Sequence, residues 1–92
     1  MITMAVRDIF AALGVQCEYE PADNESFDSF IGLYAGDDNC VANIQITQQG
    51  TFVANCWTSQ TMDEIEHGTE TNKLALAACD AIQLMRKHGW IK

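Results

Sequence analysis

Residues 29–57 read SFIGLYAGDDNCVANIQITQQGTFVANCW, and the alternation inside this stretch decides the fold. Side chains along a strand point to opposite faces with period two, so each apolar series marks one face. Ser29, Ile31, Leu33 and Ala35 form one series, Cys40, Ala42, Ile44 and Ile46 a second, and Phe52, Ala54 and Cys56 a third. A turn centred on Asp37-Asp38 pairs Ala35 with Cys40, Leu33 with Ala42 and Ile31 with Ile44, bringing two series onto one face. The second connection discriminates between registers. A two-residue loop at Gln49-Gly50 sets Ile46 opposite Val53 and divides the apolar faces. A three-residue loop, Gln48-Gln49-Gly50, pairs Ile46 with Phe52, Ile44 with Ala54 and Ala42 with Cys56. It also lets Gly50 take the left-handed position that such loops require. The second register is the one expected.

Working outward, Val15-Gln16-Cys17-Glu18-Tyr19-Glu20 alternates as a half-buried strand and is stopped by Pro21, with residues 21–28 as a loop. Before it, Thr3 stands as an N-cap ahead of Val6, Ile9, Phe10 and Leu13, whose spacing predicts an amphipathic helix over 4–13 ending at Gly14. After the third apolar series, Thr61 and Glu64 have capping-box spacing and predict a helical turn at 62–67 before Gly68. Thr69 then caps a longer helix that ends near His88, with Gly89 as its stop. Leu74, Ala75, Ala78, Ala81, Ile82 and Met85 share one side of that helix, while Leu76 and Leu84 fall among Lys73, Asp80 and Lys87 on the other. The expectation is a single α+β domain over residues 1–92, ordered α-β-β-β-β-α. A four-stranded antiparallel meander carries the C-terminal helix on its Ile31/Ile44/Phe52 face.

The same register defines the second face of the sheet. Tyr34, Val41 and Trp57 form one cross-strand row, Gly32, Asn43 and Asn55 the next, and Phe30, Gln45 and Val53 a third. Either the N-terminal helix or a second copy of the chain covers this face, or it is an exposed recognition surface.

Charge is distributed unevenly. The 92 residues carry a formal net charge of -8, and no Lys or Arg occurs from Asp8 to Asn72, where all but one of the 13 carboxylates lie. Glu18, Glu20, Asp37, Asp38, Asp63, Glu64 and Glu66 are prominent among them. Direct binding to nucleic acid is disfavoured, because a phosphate backbone needs neutralising cations. A basic protein surface is the complementary partner, and solubility alone is the simpler account of the acidity.

Other classes find little support. No apolar run is long enough for a membrane span, and the N-terminus lacks a signal-peptide pattern, so no membrane association and a cytoplasmic location are expected. Cys17, Cys40, Cys56 and Cys79 have no zinc-knuckle spacing and are read as reduced thiols, most of them buried. The run Asp23 to Asp28 offers oxygen ligands, but Asp28 occupies the place of the EF-hand glycine and Tyr34 that of its bidentate glutamate. With no nucleophile elbow, no phosphate-binding glycine loop and paired carboxylates only in turns, neither catalysis nor a cofactor is expected.

In size, charge and the cation-free stretch Asp8–Asn72, with Asp37-Asp38 and Asp63-Glu64 at its turns, the chain resembles the small acidic inhibitors encoded by bacteriophages. The anti-CRISPR proteins are the nearest group. That resemblance involves no motif. It implies a stoichiometric inhibitor that occupies a basic nucleic-acid-binding surface of a host defence complex, in the host cytoplasm. Glu18, Glu20, Asp37, Asp38, Asp63, Glu64 and Glu66 would supply charge, and Tyr34 and Trp57 apolar anchors. The rival expectation is a structural or immunity-type module that binds its own copy or one cognate protein. The helix-meander-helix order is also similar to the double-stranded-RNA-binding domain, but Thr69-Glu70-Thr71 replaces that family's basic helix start.

Overall fold

Ile31 faces Ile44, Ile44 faces Ala54, and Ala42 faces both Leu33 and Cys56, so the apolar series of the central strands meet on one face. The computed structural model describes residues 4–24, 27–36, 39–59 and 63–92. Its elements run α1 (Met4–Ala12), β1 (Val15–Glu20), β2 (Ser29–Ala35), β3 (Cys40–Ile46), β4 (Phe52–Trp57), β5 (Ile65–His67) and α2 (Leu74–Lys87). The strands form one antiparallel sheet in the order β1-β2-β3-β4-β5. The three-residue loop is as expected. Thr47 N–H donates to Thr51 O at 2.9 Å, Gly50 N–H donates to Thr47 O at 3.0 Å, and Gly50 takes φ 83°. The Asp37-Asp38 turn and Thr3 lie outside the described residues.

Three expectations are corrected and, third in order, an alternative left open for α1 is decided. The first concerns the strand count. Residues 65–67 form a fifth strand rather than part of a helical turn, pairing Trp57 with Ile65, Cys56 with Glu66 and Asn55 with His67. The reason is the edge of β4, whose outward backbone groups the following segment can pair as a strand. Gly68 N–H donates to Ala54 O at 2.7 Å, and Phe52 and Thr71 exchange two bonds at 2.7 and 2.9 Å. A single helical turn leaves those groups unpaired. For the same reason α2 begins after Lys73, which makes no side-chain cap bond. Thr69 does not cap it; its N–H donates to Asp80 Oδ2 at 3.3 Å.

The second correction is a β-bulge. Leu33 pairs with Ala42 but Tyr34 pairs with Cys40, leaving Val41 as an extra residue. Val41 joins the core, and Cys40, expected on the inner face, stands beside Tyr34. The exchange buries the whole valine side chain, which is 1% exposed.

The third concerns layers. Val6 and Phe10 of α1 join the same buried cluster as Ile31, Leu33, Ile44 and the α2 residues Ala77, Ala78, Ala81 and Met85. Both helices therefore lie on one face of the sheet, and residues of both line the groove between them. Val15 and Cys17, the buried residues of β1, face this side as well, and the two-residue link from α1 to β1 holds the helix over its own strand. The fourth is a rotation of α2. Leu84 is 8% exposed and belongs to the core, whereas Leu76 is 53% exposed. The helix ends as expected. Trp90 N–H donates to Met85 O at 2.8 Å, Gly89 N–H to Arg86 O at 3.2 Å, and Gly89 takes φ 80°, a Schellman motif.

Candidate functional site: the open face of the sheet

With both helices on one side, the opposite face of the sheet carries no helix. Phe30 and Tyr34 from β2, Asn43 and Gln45 from β3, and Val53, Asn55 and Trp57 from β4 alternate with core residues and occupy that face. Ile65 and His67 extend it at the β5 edge, and Gln16, Glu18 and Glu20 at the β1 edge.

A polar chain crosses the middle of the face. Asn55, 6% exposed, donates from Nδ2 to Asn43 Oδ1 at 2.8 Å and to Gln45 Oε1 at 3.4 Å. Its Oδ1 must then accept, so the 2.5 Å contact with His67 Nδ1 is a bond donated by the histidine. That leaves the His67 Nε2 side facing away from Asn55. At the other end Gln45 Nε2 donates to Asp28 Oδ2 at 2.6 Å, and Asp28 Oδ1 accepts from Gln48 N–H at 3.2 Å. The side-chain donors named from His67 to Gln45 all point the same way, from the imidazole toward the carboxylate. Such a satisfied network is rigid, because each amide is held by its neighbours.

Aromatic groups flank this chain. Tyr34 lies along its own strand over Gly32, where an added Cβ would stand 3.1 Å from Tyr34 Cε1. The glycine admits the ring, and the Tyr34 hydroxyl reaches Glu20 Oε1 at 3.3 Å. Desolvation first, then Cys40, Glu20 and Glu18, push the Tyr34 hydroxyl above its ordinary range. Trp57 is half-buried, and its carbonyl accepts from Trp90 Nε1 at 2.7 Å, tying the chain end to β4.

The acidic residues divide. Glu18 and Glu20 are exposed at the β1 side of the open face, close to Tyr34. Asp63 and Glu64 are exposed and lead into β5. Glu66 is separate from them. Opposite the core residue Cys56, it points to the helix side, where Lys87 Nζ donates to it at 3.0 Å and His88 Nε2 lies 2.8 Å away. Those two groups hold its carboxyl below the usual range. Its charge is matched within the fold. Asp37 and Asp38 lie outside the described residues.

Arg7, Arg86 and Lys87 belong to the helices, Lys73 directly precedes α2, and Lys92 ends the sequence. Arg7 Nη1 donates to Cys17 O at 3.3 Å, Lys87 binds Glu66, and Arg86 Nε donates to Lys92 O at 3.0 Å. Sequence reasoning missed His67, because 62–67 reads as helical, and the bond of Asp28 to Gln45, because Asp28 reads only as a loop carboxylate in the Asp23–Asp28 oxygen run. The alternation of Asn43, Gln45 and Asn55 on one face was the available signal. Among the described residues no three His, Cys, Asp or Glu groups are placed to hold a metal ion, and no helix is long and apolar enough to cross a membrane. No protein family, curated protein or solved structure matches the chain.

Proposed function

We propose that this is a non-enzymatic binding protein that seats the open face of its sheet on a basic protein surface. The observation that carries this reading is the placement of both helices on the same side, which leaves Phe30, Tyr34 and Trp57 on a helix-free face whose strands contain no cation. Aromatic anchors surrounded by a polar, acidic rim suit association with Arg- and Lys-rich surfaces. In its finer form the proposal is a stoichiometric inhibitor of the anti-CRISPR type, which occupies the nucleic-acid-binding surface of a host defence complex and excludes the nucleic acid. Glu18, Glu20, Asp63 and Glu64 supply the field, while Tyr34 and Trp57 supply contact area.

The test is a tagged pull-down from nuclease-treated bacterial lysate, followed by nucleic-acid binding of the recovered complex with and without the protein. Release by salt, loss of nucleic-acid binding while occupied, and failure of Trp57→Ala to do either support the reading. Recovery of the protein alone as a dimer, dissociated by Trp57→Ala, replaces it with the reading that the face binds a second copy.

A further inference from the structure

The outer edge of β1 is a separate surface from the open face. Phe52 exchanges both its backbone bonds with Thr71, so its N–H and C=O point away from β3. Backbone direction alternates along and across an antiparallel sheet. The registers then turn Ile44 toward Ile31, and Gln16, Glu18 and Glu20 toward β2. Cys17 and Tyr19 are left with N–H and C=O aimed outward from the sheet. The Arg7 bond to Cys17 O agrees with this direction, and it is a long one at 3.3 Å. From the end of this edge an open groove of about 500 Å³ runs across β2 to Ile46 and Gln48, and Tyr19, 40% exposed, and Phe27, 62% exposed, line it with polar Asn24 and Ser29.

We infer that the β1 edge accepts an extended segment of a partner protein as a sixth strand, with basic side chains opposite Glu18 and Glu20 and an apolar one in the Tyr19–Phe27 groove. The inference rests on the reading that the partner is basic. Backbone bonds to Cys17 and Tyr19 supply affinity, and alternate side chains supply selectivity. An incoming residue opposite Glu18 or Glu20 lies on the open-face side, about 5 Å from the carboxylate-bearing strand position. A second copy is the poorer occupant, because it brings a further net charge of -8 and a strand whose own cation-free side carries Glu18 and Glu20.

The experiment follows backbone amides by NMR hydrogen exchange while a soluble peptide of alternating lysine and valine is added. Two control peptides replace lysine by glutamate or carry N-methyl groups on the bonding edge. The inference expects exchange at Cys17 and Tyr19 to slow by about tenfold or more with the lysine peptide only. Glu18→Gln with Glu20→Gln should weaken the effect, and Arg7→Ala should strengthen it by releasing the Cys17 carbonyl. Equal binding of the N-methylated peptide, or slowing absent from Cys17 and Tyr19, overturns it. So does protection of those amides that rises with protein concentration in the absence of peptide. Trp57→Ala should leave the peptide effect intact. A peptide that perturbs Trp57 but not the β1 amides sinks the edge while leaving the open-face reading standing.

Discussion

The two faces of the sheet use alternate residues of the same strands for opposite purposes. On the helix side, Ile31, Leu33, Ile44 and Ala54 have essentially no exposed surface, and the nearby ion pair of Glu66 with Lys87 compensates a charge within the fold. On the open side, amides bond to amides, aromatic rings stay half-buried, and Glu18 and Glu20 have no cation among their strand neighbours. One face spends its side chains on stability. The other holds them in fixed positions with their contact surfaces free.

Substitutions that act unequally on the two faces test this comparison. The largest effect should come from Ile44→Ala, which opens a cavity beneath α2 and should cost about 2–5 kcal/mol in urea denaturation. Val53→Ala on the open face should cost under about 1 kcal/mol. Equal losses would mean that the open face is covered in solution. Asn55→Ala comes next, since it strands His67, Asn43 and Gln45, at about 1–3 kcal/mol by the same measurement.

Glu18→Lys with Glu20→Lys should leave stability nearly unchanged yet weaken partner binding by about 1–3 kcal/mol, mainly through association rate. The loss should shrink in high salt, which stopped-flow kinetics at two ionic strengths would check.

Glu66 offers a smaller, pH-dependent contrast. Its carboxyl is depressed from the ordinary 4.5, so the pairing stabilises the fold above that value and is lost as pH falls through the lowered one. Glu66→Gln should therefore be less stable than the parent near neutrality, and the two should converge in acid. Thiol chemistry gives the finest distinction. Burial, with Glu66 nearby, pushes the Cys56 thiol up to about 11, while Cys79 is exposed on α2. Iodoacetamide followed by mass spectrometry should label Cys79 well before Cys56, and simultaneous labelling would mean that the β4–α2 packing opens.

Much of the fold was legible because period-two alternation and a glycine with positive φ are local properties. The pairing of Ile46 with Phe52 followed from loop length and the apolar faces, and the helix stop from the glycine at position 89. The candidate site was legible only as far as the register. Asn43, Gln45, Asn55, Tyr34 and Trp57 could be placed on one face, but His67 and Asp28 reach it from segments with no strong period. The placement of Val41 depended on which of two neighbouring side chains the core could use better.

Sequence alone determined β1 to β4, the register of the central hairpins as far as Leu33 and Ala42, and the segregation of charge, since each depends on spacing along one segment. Tertiary structure decided the fifth strand, the bulge at Val41 and the side taken by α1. Those depend on free backbone groups and unfilled core volume contributed by distant parts of the chain, and no local pattern encodes them.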